Sequence, residues 1–245
     1  NLSKKVKLKK KDHVLDIASN DGTMLNFYKK NIITFGIDPI INKFNKNYKN
    51  INYKLSDFFS YNKIKKITKN KFKIITALSV FYDLSEPNKF LKDASKLLDK
   101  NGILLLEFAD LESIIKFKMF DTICHEHLEY YSTEVLIKMI KKNNLKLIDI
   151  KSNKINGSSK QYFLCKQNSK YKINRKIINK FLKKEKKYKL KDLNTYKKFF
   201  KNINDLKSKI NKFIIKENNN NKNFHCYGAS TKGNVLLQYF GITNK

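Results

Sequence analysis

The feature that most constrains this chain is a series of short apolar runs that do not alternate. Residues 13–18 (HVLDIA), 33–38 (ITFGID), 73–79 (KIITALS) and 103–108 (ILLLEF) are nearly continuous in hydrophobicity, and polar or helix-patterned stretches separate them. A strand with one wet face alternates. A continuous run needs apolar cover on both faces, as in a parallel sheet between helix layers. A shorter strand is expected over 52–55. Pro87 suits the first turn of a helix over 88–99, and Asn101-Gly102 reads as the turn before the last run. After the first run come SNDGT, with Gly22, and an amphipathic stretch over 24–30. Strand, tight turn, helix is the opening of a nucleotide-binding α/β unit. The expected fold is therefore α/β, with a Rossmann-like sheet.

The later chain extends this plan. A helix is expected over 133–142, strands over 145–150 and 161–165, and a turn at 156–159 between them. Residues 171–215 are helical in pattern and very basic, and read as a linker closed by the asparagine run 218–221. A second strand, glycine turn and helix follow over 224–227, 228–233 and 234–240. The expected divisions are a basic lead-in (1–11), a cofactor-binding domain (12–168), a helical linker (169–222) and the start of a second α/β domain (223–245). Both ends read as cut from something longer.

Charge narrows the partners. The formal net charge is +32, from 53 Lys+Arg against 21 Asp+Glu, yet Arg175 is the one arginine. Base readout and bidentate phosphate recognition favour arginine. Lysine is spread along the whole chain, so a solvated lysine surface is expected and nucleic acid is not. The three cysteines, Cys124, Cys165 and Cys226, form no Cys-x-x-Cys pair, which fits a reducing cytoplasm. No apolar run reaches the ~18 residues of a membrane span, so no membrane partner is expected.

The turn 16–22 keeps one glycine and is not GxGxxG, so a dinucleotide cradle is poorly matched. Acids instead stand at successive strand ends. Asp16 and Asp38 are 22 residues apart, near the ~20-residue spacing of a ribose-binding acid. S-adenosylmethionine fits this demand. Asp16, Ala18, Ser19, Asn20 and Gly22 would hold its amino-acid end. Asp38 with Pro39 would take the ribose hydroxyls, Asp57 the adenine amino group and Phe58 the ring. Ser79, at the end of the run over 73–79, completes the expected cofactor wall.

Residues 120–131, FDTICHEHLEYY, place His125, Glu126, His127, Cys124, Tyr130 and Tyr131 together. The stretch is too polar for a buried helix and alternates too briefly for a strand. It is a cluster of groups that can move protons. A metal site here lacks an evident third and fourth ligand, so no metal is expected.

VLDIASNDGTML, GIDP, SDFF, FDTICHEHLEYYS, ING-S and YGASTKGNVLLQYFGI, in this order, resemble the sugar C-methyltransferases that act on nucleotide-linked keto-deoxysugars. The resemblance runs over most of residues 12–242. It implies an N-terminal zinc domain with cysteine pairs that this sequence does not contain, so zinc would belong only there. It also implies a Rossmann-like C-terminal domain. His127 would be the general base, with Glu126 and His125 beside it. Some relatives have tyrosine at the position of Cys124. After 155–157 relatives commonly carry a second glycine and then an arginine, where Ser158 and Gln161 stand here.

The implied chemistry suits these side chains. A sugar keto group acidifies the neighbouring C–H, a base near neutral pKa removes the proton, and the enolate carbon attacks the sulfonium methyl. Glu126 or His125 would orient the base. Tyr130, Tyr131 or His125 would donate to the enolate oxygen. Asn156, Gly157 and Tyr131 would contact the substrate, and Ser230, Thr231 and Lys232, at a helix start, would hold its diphosphate. The rival readings are an O- or N-methyltransferase, whose acceptor needs no carbon acid deprotonated, and a non-catalytic fragment that binds cofactor or sugar nucleotide.

Overall fold

The computed structural model describes residues 2–225 and 230–243. In chain order it has α1 (Leu2–Lys5), β1 (His13–Ile17), α2 (Thr23–Asn26), β2 (Ile33–Ile37), β3 (Tyr53–Leu55), α3 (Tyr61–Ile67), β4 (Phe72–Leu78), α4 (Pro87–Leu97) and β5 (Leu98–Phe108). Then come α5 (Leu111–Phe117), α6 (Thr133–Lys142), β6 (Leu145–Asn153), β7 (Ser159–Lys166), α7 (Arg175–Lys187), α8 (Leu193–Asn219) and α9 (Thr231–Phe240). The seven strands make one sheet, in the order β3-β2-β1-β4-β5-β7-β6. The first five are parallel. β7 enters antiparallel between β5 and β6. Strand order reverses between β1 and β4, and the crevice beyond their carboxyl ends is where such sheets take ligands.

The continuous apolar runs are buried on both sides. Leu15, Ile17, Phe35, Ile75 and Leu104 face one core, completed by Phe90 and Leu91 of α4, Leu136 of α6, and Ile178 and Phe181 of α7. Val14, Ile74, Ile103 and Leu105 face the other, under Leu2, Val6, Leu25 and Tyr48. A third cluster joins Ile114 of α5, Met119, Phe120, Phe199 and Ile203 of α8, and Phe240 of α9.

The structure differs from the sequence expectations where tertiary contacts outweigh local pattern. The helix expected over 24–30 is only Thr23–Asn26. Leu25 is its one buried side chain, Phe27 beyond it is 84% exposed, and Tyr28 packs on the second core from outside the helix. Asn101-Gly102 is not a turn between elements. It is an irregularity inside β5, whose pairing with β4 jumps from Leu98 to Ile103. Asp99 steadies it by accepting from Asn101 N at 2.8 Å and Lys73 Nζ at 2.8 Å. A Cβ on Gly102 would meet the Phe72 carbonyl at 2.6 Å, so only glycine passes there.

The stretch 169–222 is two helices with different roles. α7 docks on the main core through Ile178 and Phe181. Its Glu185 accepts from the backbone amides of Thr133 at 2.5 Å and Glu134 at 3.2 Å, which caps α6. α8 buries only Phe199 and Ile203. No helix among the described residues is long and apolar enough to cross a membrane. Phe224 and His225 have no strand geometry. The rest of the expected strand, Cys226 and Tyr227, and the turn residues Gly228 and Ala229 lie outside the described residues.

Candidate active site

The turn after β1 is held by alternating left-handed residues, Ala18 (φ 57°), Asn20 (φ 47°) and Gly22 (φ 75°). Such backbone is costly for alanine and persists only where surrounding contacts fix it. Those contacts centre on Tyr48, which the sequence reading did not single out. Its ring lies where Cβ atoms on Gly22 and Gly36 would be, at 3.0 and 2.8 Å. Its hydroxyl bonds Ser19 Oγ at 2.8 Å and donates to the Asn20 carbonyl at 2.9 Å. Asp38 receives the amides of Asn20 at 3.0 Å and Ile40 at 2.9 Å. One buried carboxylate thus ties the β1 turn to the end of β2. Asp16 is also buried and accepts from Thr76 Oγ1 at 2.5 Å. Burial pushes its carboxyl up to about 7; the Thr76 bond opposes this and Asp38 adds to it.

Beside this turn is a cavity of about 480 Å³ at the strand ends, whose walls include Ala18, Asp38, Pro39, Asp57, Phe58 and Val80. Eight of the ten expected cofactor residues are gathered here or in the turn that forms its edge: Ala18, Asp38, Pro39, Asp57 and Phe58 in the wall, and Ser19, Asn20 and Gly22 in the turn. Asp57 and Phe58 are on the outer rim. Asp57 is paired with Lys63 at 2.7 Å, which with the Phe58 amide holds its carboxyl below the usual range. Phe58 is 74% exposed and free to meet a ring.

A second cavity, about 280 Å³, is lined by Ser79, Tyr82, Thr122, Cys124, Glu126, His127, Ser230 and Lys232 among others. Consecutive residues at the end of β4 line the two cavities, Ser79 (φ 54°) this one and Val80 the other. His127 Nδ1 lies 2.6 Å from the Thr122 carbonyl. A carbonyl can only accept, so Nδ1 carries a proton, and in the neutral ring Nε2 is the nitrogen with the lone pair. Tyr82 packs its ring on the imidazole at a centroid distance of 4.4 Å. Glu126 is exposed, and its own amide, Cys124 and the two histidines hold it below the usual carboxylate range. Burial, with a contribution from Glu126, pushes the Cys124 thiol up.

The other expected residues are placed differently. Tyr130 reaches the Thr122 carbonyl at 3.5 Å, from the side away from the cavity. Tyr131 is 5% exposed and packs on Phe81 and Phe108, so it is a core residue and not a wall of the cavity. Gly157 (φ 91°) packs on Met119, and the side chain of Asn156 lies outside the described residues. Ser230 Oγ accepts from Gly233 N at 3.3 Å, so it caps α9. Asp83 was not legible beforehand. It follows Tyr82, its Oδ1 is buried without a partner among the described residues, and burial with Glu126 nearby pushes its carboxyl up to about 6. An acid two residues past a buried Phe gives no sequence signal of its own.

Comparison with known proteins identifies the frame. Residues 1–150 match the model of a methyltransferase domain. The chain belongs to the methyltransferase-domain family. Residues 154–245 match the C-methyltransferase C-terminal domain, so the two matches meet at the end of β6. The C-methyltransferase NovU of Streptomyces niveus is 24% identical over 170 residues, 69% of this chain and 40% of that protein. The chain thus spans less than half the length of that relative. Among solved structures, an S-adenosylmethionine-dependent methyltransferase from Clostridium acetobutylicum aligns with a TM-score of 0.50 at 13% identity, over 63% of this chain and 83% of that one. PKMT2 from Rickettsia typhi aligns with a TM-score of 0.51 at 17% identity, over 70% of this chain and 52% of that one. The fold is the Rossmann-like class I methyltransferase fold.

Proposed function

We propose that this methyltransferase-family chain binds S-adenosylmethionine in the larger cavity at the strand ends and transfers its methyl to carbon. The acceptor carbon is next to the keto group of a nucleotide-linked deoxysugar. The observation that supports this best is that consecutive residues, Ser79 and Val80, line the two cavities. A cofactor seated between Asp38 and Phe58 would point its sulfonium end towards His127. A resident histidine base is needed when the nucleophile is a carbon acid and is superfluous for most amines. His127 Nε2 takes the proton from the carbon beside the ketone, and the Thr122 carbonyl, bonded to Nδ1, stabilises the resulting imidazolium. The carbon–hydrogen electron pair becomes the enolate, whose carbon displaces S-adenosylhomocysteine from the methyl. Glu126 flanks the base; Ser230 and Lys232 close the cavity over the acceptor. The reading places the protein in the cytoplasm, where such sugar nucleotides are made. The resemblance and the match to NovU support the sugar acceptor.

The test has two parts. Calorimetry with S-adenosylhomocysteine should show binding by the unaltered protein, weakened at least about tenfold in Asp38→Asn, which loses the charge facing the ribose and is checked for folding by circular dichroism. Methyl-labelled S-adenosylmethionine is then given with a panel of nucleoside diphosphate keto-deoxysugars. A label on carbon that disappears in His127→Gln is expected. A label on oxygen or nitrogen, or a folded protein that binds no S-adenosylhomocysteine, overturns the reading.

A further inference from the structure

A further cleft among the described residues is neither of the two cavities above. It measures about 660 Å³ and is bounded by α6, the end of α7 and the turn into α8. Its floor is apolar, with Leu111, Val135, Leu182 and Leu190, and Lys186 and Lys189 stand on its rim. Tyr130 is in its wall, and the Tyr130 hydroxyl reaches the Thr122 carbonyl, the same atom that receives His127 Nδ1. One side chain therefore separates this cleft from the cavity of the histidine.

Acids also line the cleft, but each has an assigned partner. Glu185 caps α6 through two backbone amides. Asp192 caps α8 by accepting from Asn194 N at 2.9 Å. Glu134 receives Lys138 at 2.9 Å and Lys191 at 3.0 Å, and those bonds hold its carboxyl down to about 2. Among the described residues, the ammonium groups of Lys186 and Lys189 are in no ion pair of this kind. Their backbone is fixed, since Lys189 N donates to Lys186 O at 3.1 Å and Asp192 N to Lys189 O at 2.8 Å. Tyr196 pins the same turn by donating to the Leu190 carbonyl at 2.6 Å. Two cations on a held turn, over an apolar floor, suit a ligand with a flat weakly polar part and a doubly charged part.

We infer that this cleft is the binding site for the nucleoside diphosphate end of the acceptor, with Lys186 and Lys189 on the phosphates and the base over Leu182 and Leu190. The sugar then extends past Tyr130 to His127. The inference rests on the proposed acceptor class. It moves the diphosphate away from the start of α9, where Ser230 is occupied as the helix cap.

The experiment is calorimetry of the whole chain with uridine, thymidine and guanosine diphosphates, with the free nucleosides and with inorganic pyrophosphate. The variants are Lys186→Gln/Lys189→Gln and, as a charge-matched control, Lys180→Gln/Lys183→Gln on the outer face of α7. At least one nucleoside diphosphate should bind more tightly than either its nucleoside or pyrophosphate. The first pair should weaken it at least about tenfold, the loss expected from charge-assisted hydrogen bonds. The control pair should stay within about twofold. Equal weakening by both pairs would mean that only the diffuse lysine charge attracts the anion, and would overturn the assignment. So would no effect of either pair, pyrophosphate binding as tightly as the diphosphates, or no binding of any of the three. S-adenosylhomocysteine is titrated in parallel. Its binding should be the same in both variants, and its failure to bind would defeat the methyltransferase reading separately from the cleft.

Discussion

Asp16 is the residue whose environment is most at odds with its chemistry. It is 4% exposed, in the middle of a parallel sheet, and burial raises its carboxyl from 3.8 to about 7. The folded protein therefore holds a proton that the unfolded chain releases. Stability from this group is fully present below the unfolded value, falls as pH rises from about 4 to about 7, and is level above that. Asp16→Asn keeps an acceptor for Thr76 and removes the titration. The variant should gain on the unaltered protein between pH 5 and 8, by at most about 4 kcal/mol. Urea denaturation at several pH values checks this, and a difference independent of pH would mean that Asp16 ionises normally. At this scale what is chemically dense stood out in the sequence: Glu126 and His127, which line the smaller cavity, and Asp38 at a strand end, which lines the larger. The sequence did not reveal Tyr48, Tyr82 or Asp83, because each acts through a neighbour brought close only by folding. Tyr131 was misplaced for a related reason. Adjacent tyrosines point in different directions, and only the packing of Phe81 and Phe108 decides which one is core.

At the scale of elements, the helix that leads into the histidine loop is fixed by buried charge. Asp110 caps α5 through the Glu112 amide, and Lys160 of β7 meets Asp110 at 2.6 Å and Glu112 at 2.9 Å. The three side chains are 0–6% exposed. A fully hydrophobic trio would serve stability as well, but removing one partner strands the others in low dielectric. Lys160→Met should therefore cost about 3–5 kcal/mol and lower the thermal midpoint, although methionine fills most of the same space. Lys160→Arg, which restores the charge, should lose less. If Lys160→Met melted like the unaltered protein, α5 would not depend on this cluster. Nothing in the string SSKQY announces a buried lysine, since lysine is the commonest basic residue everywhere in this chain. The strands were legible because burial on both faces leaves a continuous apolar run. The bulge in β5 was not, because Asn-Gly has the same local preference for a turn whether or not the ladder resumes beyond it. The packing of α7 was hidden likewise. Its charge describes its outer face, while Ile178 and Phe181 on the inner face decide where it docks.

For the whole molecule, the excess of positive charge raises the question of whether electrostatics help or oppose the fold. Ion pairs such as Lys89–Glu86, Lys138–Glu134 and Lys201–Asp205 are exposed, with side chains 63–66%, 44–66% and 54–75% accessible, and solvated pairs of this kind contribute little. Against them stands a net charge of +32, with most lysines lacking an acid to meet. Compaction brings these charges together, so self-repulsion opposes folding. Salt screens both effects, but the repulsive terms outnumber the attractive ones, and the attractive pairs are the less valuable for being solvated. The Lys160 cluster is buried and is screened much less. Raising sodium chloride from about 20 to about 300 mM, which shortens the screening length from roughly 20 Å to below 10 Å, should therefore raise the thermal midpoint. For a chain of this size each kcal/mol gained corresponds to about 2–4 °C. Differential scanning fluorimetry in sodium chloride, at about pH 9, two units above the Asp16 value of about 7, isolates the term. A midpoint that falls with salt would show that the exposed pairs act together as a stabilising network, and that the lysine excess is tolerated by distance and not opposed to the fold.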